Sequence, residues 1–288
     1  MLALASLLLA ANLVDVGGRN LHLQCTGSGA PTVLFESGLG EGYYVWSRVQ
    51  PEVAKTHRAC SYDRAGIGFS DPSPTRRSVA SLVDDLHLLL AKSGEKPPFI
   101  LVGHSLGGLL VRRYAARFPD EVSALVLVDS AHEDGESITP PELAAAQAAR
   151  RAQRAEQLRT WHATGKFEEM GFASNVTGPL LAELRRRSAT AAWWDARFAE
   201  NTLPDTHERT PITVPAVVIT ATRWPLPAGF PAAAWARYTA ARLELQKELA
   251  ARSPHGTQVL VDGEHSVPTD HPEVVVEAVE RVSGPRRE

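Results

Sequence analysis

Ser105 stands in Gly103-His104-Ser105-Leu106-Gly107-Gly108, a setting in which a serine hydroxyl can become a nucleophile. The apolar residues 99–102 before it read as a short buried strand, and Leu109, Leu110, Tyr114 and Phe118 after it recur at helical spacing. A G-x-S-x-G pattern between strand and helix forms a sharp turn that holds the hydroxyl clear of the sheet. Gly103 and Gly107 lack a Cβ, so strand and helix can approach closely. The N–H of Leu106, at the start of the helix, points where a reacting carbonyl oxygen would gain charge.

A serine hydroxyl at neutral pH needs a base in contact. Among ten histidines, His265 fits best. It follows the apolar strand 259–261 in the loop 262–266, and a helix begins at Pro272. That places it at the carboxyl end of the sheet, where ligands bind in parallel α/β folds. The base in turn needs a carboxylate to fix its tautomer and stabilise the imidazolium. Asp129, closing the strand 124–128, is the first candidate, and Glu133 and Asp134 compete with it. Asp262 shares the loop of His265 and is poorly placed to reach its Nδ1. A second donor to a developing oxyanion is expected from Ser37-Gly38-Leu39-Gly40, with the N–H of Leu39 preferred and Gly38 and Gly40 as alternatives.

The elements that must position these residues alternate. A hairpin is expected over 13–25 around Gly17-Gly18, then strands over 31–36, 58–62, 99–102 and 124–128, with helices over 44–55 and 78–92 and after Ser105. Strands alternating with helices imply a mainly parallel sheet, because parallel neighbours need crossover connections. The alternation stops after Asp129. Residues 131–212 hold only helical patterns, over 140–159, 178–187 and 190–201, the last carrying Trp193, Trp194 and Phe198. Strands resume at 214–221 and 257–261, with helices over 231–251 and 272–282. The expected organisation is an α/β core of residues 13–130 and 213–288, with a helical cap, residues 131–212, inserted after the sixth strand.

A chain of 288 residues with 44% hydrophobic residues can build one large core. The formal net charge of −3 gives no reason to expect nucleic acid or an anionic membrane as partner. Arg150-Arg151 and Arg185-Arg186-Arg187 read as solvated helix faces. No metal or cofactor signature is present: there is no H-E-x-x-H or paired C-x-x-C, and the glycines around Ser105 do not have dinucleotide-binding spacing. The apolar segment 1–12 is too short to span a bilayer as a helix and lacks a preceding Lys or Arg. It fits the stub of an anchor or signal, a helix packed on the domain, or a working signal, so both cytoplasmic and exported or membrane-associated locations stay open.

The chain resembles the α/β-hydrolase fold superfamily from about Leu13 onward, in its serine esterase and lipase branch. The matching residues are Ser37-Gly38-Leu39-Gly40, Tyr62-Asp63-Arg64-Ala65-Gly66-Ile67-Gly68-Phe69-Ser70, Gly103-His104-Ser105-Leu106-Gly107-Gly108, Leu127-Val128-Asp129 and Gly263-Glu264-His265. The resemblance implies an eight-stranded, mostly parallel sheet flanked by helices, and a triad in the chain order Ser, acid, His. Two departures stand out. The oxyanion loop usually opens His-Gly and here reads Glu36-Ser37-Gly38. Many members place an Asp after the strand at 214–221, where this chain continues Thr222-Arg223-Trp224. An acid after the earlier strand is similar to haloalkane dehalogenases and pancreatic-type lipases, but dehalogenases and epoxide hydrolases carry Asp where Ser105 stands. The usual strand order of the fold makes the strands of Cys25 and Cys60 neighbours, so a cross-strand disulfide and two buried thiols are both open. The expected activity is hydrolysis of small-molecule carboxylic esters through an acyl-enzyme. The alternatives are C–C bond hydrolysis, perhydrolase-type haloperoxidase, lactonase or amidase chemistry on the same site, and a non-catalytic binding module.

Overall fold

The computed structural model describes residues 12–164, 177–188, 190–200, 203 and 206–284. Eight strands form one sheet: β1 (Leu13–Asp15), β2 (Asn20–Thr26), β3 (Thr32–Glu36), β4 (Ala59–Tyr62), β5 (Phe99–His104), β6 (Val122–Val128), β7 (Ala216–Ala221) and β8 (Thr257–Val261). Their order is β1-β2-β4-β3-β5-β6-β7-β8. β1, β2 and β4 pair antiparallel, and every pairing from β4 through β3 to β8 is parallel. The carboxyl ends of β3, β5, β6, β7 and β8 therefore open onto one edge. The segments that carry Leu39, Ser105, Asp129 and His265 all leave the sheet there.

The core helices are α1 (Gln50–Val53), α2 (Val79–Ser93), α3 (Leu106–Arg117), α7 (Ala232–Ala251), α8 (Val267–Asp270) and α9 (Pro272–Ser283). Between β6 and β7 lies the inserted helical region, with α4 (Pro141–Thr164), α5 (Gly178–Ser188) and α6 (Ala191–Glu200). α2 shows how local sequence sets an element. Ser78 caps its start in a reciprocal pair with Ser81, Gly94 closes it in the left-handed region, and Val79, Leu82, Val83, Leu86, Leu89 and Leu90 form its buried stripe.

Alternation along β6 divides the core. Leu125 and Leu127 face a cluster that includes Leu86, Leu89, Tyr114 and Leu249, while Ala124, Val126 and Val128 face Trp46, Val53, Val275 and Val279. The sheet is thus buried on both faces, as a parallel sheet requires.

The expected helix over 44–55 is instead a 3₁₀ turn, Tyr43–Trp46, followed by α1. Pro51 lacks an N–H and is tolerated only in the first turn of a helix, so α1 starts afresh at Gln50 instead of continuing from the turn at Tyr43. β7 begins two residues later than expected because Pro215 cannot donate to the ladder. The helical segment after Ser266, α8, carried no readable pattern. In the inserted region, Trp193 and Trp194 are both buried, with Trp161, Ala196 and Ile67. Successive helix positions diverge by about 100°, yet the two indoles meet edge to face, with centroids 4.4 Å apart. The side chain of Phe198, like residues 1–11, lies outside the described set. Arg186 pairs with Glu183 at the surface, and the Arg187 guanidinium lies over the Phe69 ring. Among the described residues, no helix is long and apolar enough to cross a membrane.

Cys25 and Cys60 stand opposite each other in the antiparallel β2–β4 register and form a disulfide. The bridge closes 35 residues of chain, which removes denatured-state entropy worth about 3–4 kcal/mol. Thiol titration in denaturant without reductant should find no free thiol per chain. Cys25→Ser with Cys60→Ser should lower stability by roughly that amount in urea unfolding. Two titratable thiols in the unreduced chain would show that the bridge does not form.

Candidate active site

Ser105 sits at φ 53° and ψ −118° between β5 and α3. This backbone is costly for a residue with a Cβ and persists only where the surroundings over-determine it. Those surroundings are specific. Ser105 N–H donates to the Val128 carbonyl at 3.0 Å, and the Ser105 carbonyl accepts from Ala131 N–H at 2.8 Å and Gly108 N–H at 3.0 Å. A Cβ at Gly103 would lie 2.4 Å from the Gly107 carbonyl oxygen, and one at Gly107 would lie 2.3 Å from the Glu36 carbonyl oxygen. The two glycines let α3 start directly against β5 and β3.

His265 Nε2 lies 3.0 Å from Ser105 Oγ, and His265 Nδ1 lies 2.5 Å from Asp129 Oδ2. Asp129 is 1% exposed and, with Ser105, is the other non-glycine residue with positive φ among those described, at 39°. Its N–H is fastened to the Ile219 carbonyl of β7 at 2.7 Å. Burial, chiefly, holds the His265 imidazole below its usual range. The bond to Asp129 opposes this, and repulsion from the His104 ring, where it is charged, and from Arg242 adds to it.

The competing carboxylates are engaged elsewhere. Glu133 is fully buried between Arg112 at 3.2 Å and Arg252 at 3.1 Å. Burial raises its pKa, but those two guanidinium groups outweigh it and hold it below the usual carboxylate range. Asp134 pairs with Arg209. Asp262 is exposed and lies 3.2 Å from Arg223. After β7, where no carboxylate stands, Trp224 packs against the His265 ring with centroids 5.4 Å apart. Arg242 stacks over Trp224 at 3.8 Å and reaches Asp129 Oδ2 at 3.4 Å.

The loop after β3 is held by its flanking groups. Gly38 N–H donates to Glu41 Oε2 at 3.0 Å, and Gly40 N–H donates to Glu200 Oε2 at 2.7 Å. Between them, the N–H of Leu39 meets no protein acceptor among the described residues. The N–H of Leu106 likewise opens α3 with no acceptor in the preceding turn. Leu39 also packs in an apolar cluster with Leu106, Leu109, Leu110 and Leu203.

Glu36, the last residue of β3, meets Arg64 at 2.6 Å and accepts from the Tyr62 hydroxyl. Arg64 also donates to the carbonyls of Ser37 and Gly38 and to both oxygens of Glu200. Arg77 adds a bond to Glu200 Oε1 at 2.7 Å. Arg64 was legible as part of a motif, but Glu200 carried no signal: it closes the inserted region, 136 residues from Arg64 in the chain.

With this geometry in place, the comparisons are clear about family. The profile of the alpha/beta hydrolase fold matches residues 31–206, and the chain belongs to that family. The uncharacterized protein YbdG of Bacillus subtilis is 33% identical over 119 residues, spanning 41% of this chain and 37% of that one. The chain spans under half the length of the curated relatives it matches. A Pseudomonas aeruginosa protein named for epoxide hydrolysis superposes with a TM-score of 0.69 at 20% identity, covering 93% of each chain. The enol-lactonase of Burkholderia xenovorans LB400 superposes with a TM-score of 0.62 at 19% identity, covering 95% of this chain and 100% of that one. The chain is thus a member of the α/β-hydrolase fold family.

Glu200→Gln removes a buried charge that faces two guanidinium groups. Breaking such a pair from one side is expected to cost about 3–5 kcal/mol. Urea unfolding followed by tryptophan fluorescence should show that loss. A change below about 1 kcal/mol would mean that the network does not hold the loop to the inserted region.

Proposed function

We propose that the protein hydrolyses carboxylic esters, lactones included, through an acyl-enzyme formed on Ser105. The observation that carries this reading is the unbroken path from Ser105 Oγ through the His265 ring to Asp129, at 3.0 and 2.5 Å. Ser105 O–H donates to neutral His265 Nε2, and His265 Nδ1–H donates to Asp129. As Oγ attacks the ester carbonyl carbon, its proton passes to Nε2, and Asp129 stabilises the imidazolium formed. The carbonyl oxygen takes up negative charge beside the N–H groups of Leu39 and Leu106. Two such donors are worth roughly 3 kcal/mol each when aimed at the oxyanion. Collapse of the tetrahedral species expels the alcohol, which takes the proton from His265. Water, deprotonated by the same ring, then releases the acid.

The choice of Leu39 rests on the engagement of Gly38 and Gly40 with carboxylates. The choice of Asp129 rests on its contact with Nδ1, whereas Glu133 and Asp134 are bound to arginines. The nucleophile speaks against epoxide opening, since a serine ester hydrolase needs this hydroxyl and the epoxide hydrolases use a carboxylate in its place. The inserted helical region, which reaches the Leu39 loop through Leu203, Arg197 and Glu200, is proposed as a cap whose wall selects the substrate.

Ser105→Ala should abolish labelling by a fluorophosphonate probe and lower p-nitrophenyl ester hydrolysis by on the order of 10⁴-fold or more. Asp129→Asn should cut kcat by about 10²–10⁴ with little change in Tm. Glu133→Gln should do the reverse, sparing kcat and losing stability, because it breaks a buried pair. Retained labelling in Ser105→Ala, or the opposite ranking of the two acid variants, would refute the assignments.

The pH profile gives an independent check. His265 must be neutral to accept the proton, so activity falls as pH drops through its pKa. Burial keeps that pKa low. The acid limb of kcat/KM should therefore lie below about pH 6.5, the ordinary imidazole value. A limb above that value would contradict a desolvated base.

A further inference from the structure

His104 precedes Ser105 at the end of β5 and is 3% exposed. Its ring faces two oxygen acceptors. Nδ1 lies 3.2 Å from Glu41 Oε2, and Nε2 lies 2.9 Å from the backbone carbonyl oxygen of His265. A neutral imidazole has one N–H and can serve one of them; the imidazolium serves both. In a neutral ring, one nitrogen lone pair would be pressed against an oxygen in a buried site, where an unmade hydrogen bond is costly.

The surroundings are shaped for this pair. Glu41 Oε2 also accepts the Gly38 N–H. A Cβ on Gly38 would stand 2.5 Å from Glu41 Oε2 and 3.0 Å from His104 Nδ1, so only glycine lets the loop close over them. The charged and titratable groups facing His104 are Glu41 from the loop after β3, Asp129 from the end of β6 and His265 from the loop after β8. Burial opposes the charged ring, but the bond to Glu41 and its charge, with the His265 carbonyl and Asp129, hold His104 above the usual imidazole range.

We propose that His104 is a positioning residue that works as an imidazolium, clamping the Leu39 loop to the loop of His265 and keeping His265 unprotonated. The second effect rests on the reading of Ser105 and His265 as nucleophile and base. The two rings are 4.7 Å apart, so a charge on one disfavours a charge on the other. His265 itself faces Asp129 and, farther off, Glu41, which are acidic, and His104 and Arg242, which are cationic.

Two measurements test this. In wild-type protein labelled with ¹⁵N-histidine, the signal assigned by its loss in His104→Gln should show both ring nitrogens protonated at pH 7.5, where an ordinary imidazole is about nine-tenths neutral. Glu41→Gln, which keeps the shape of the acceptor but not its charge, should return that ring to the neutral form. In p-nitrophenyl acetate hydrolysis, His104→Gln should move the acid limb of kcat/KM up by roughly one pH unit. A merely structural role would lower activity at every pH and leave the limb in place. A neutral His104 in the wild type at pH 7.5, or an unmoved limb in the variant, overturns the proposal. The NMR measurement does not depend on turnover. If the wild type neither labels with fluorophosphonate nor hydrolyses esters, the functional reading fails while the state of His104 is still decided.

Discussion

Arg64 is a guanidinium with almost no access to water, and the geometry around Ser105 depends on how its charge is met. Burying a cation costs several kcal/mol unless charge and hydrogen bonds replace the lost water. Here Glu36 comes from the end of β3, two carbonyls from Ser37 and Gly38 directly after it, and Glu200 from the last turn of α6. With the loop after β4 that carries Arg64, three segments remote in sequence are thereby drawn to one point. Arg77 joins the same carboxylate, so two guanidinium groups face two carboxylates. The arrangement fixes the loop after β3 by its flanks and leaves its middle N–H, on Leu39, uncommitted. Glu36, ending β3, supplies the counter-charge that this buried guanidinium needs.

Backbone strain falls where the chemistry is placed. Ser105 and Asp129 both hold left-handed or near-left-handed backbone despite their side chains. Each is fastened to a neighbouring strand, Ser105 to β6 and Asp129 to β7. The sheet supplies the energy that keeps these turns closed, and the turns in turn hold two side chains with little freedom. His265 is the more exposed member and is steadied differently, by Trp224 against its ring and by the bond from His104 to its carbonyl. Arg242, stacked on Trp224 and reaching Asp129, sets a cation beside the proposed acid.

Much of the fold was legible because its signals are local. The runs at 99–102 and 124–128, the stripe of α2 and the glycines at 103 and 107 each report their own surroundings. The misreadings have local causes too. Pro51 starts a new short helix within an apolar pattern that spans both sides of it, and α8 is too short to show a period. Trp193 and Trp194 diverge around a helix axis, yet both are buried, in one cluster with Trp161 and Ile67. Asp129, Glu133 and Asp134 lie within six residues on one loop, so nothing linear ranks them. What distinguishes them is their arginines: α3 and the end of α7 bring Arg112 and Arg252 to Glu133, and Arg209 pairs with Asp134.

By itself the sequence determined the sheet, its carboxyl edge, the serine at the elbow and the histidine loop, because hydrophobic period and glycine placement act over a few residues. Tertiary structure alone decided the partners of the charged groups. Whether Cys25 and Cys60 bond depends on the β2–β4 register. Whether Gly38, Leu39 or Gly40 keeps a spare N–H depends on Glu41 and on Glu200, which arrives from the inserted region. Whether His104 is neutral or charged depends on a carbonyl 161 residues away. Electrostatic and hydrogen-bond complementarity acts through space, and no spacing along the chain records it.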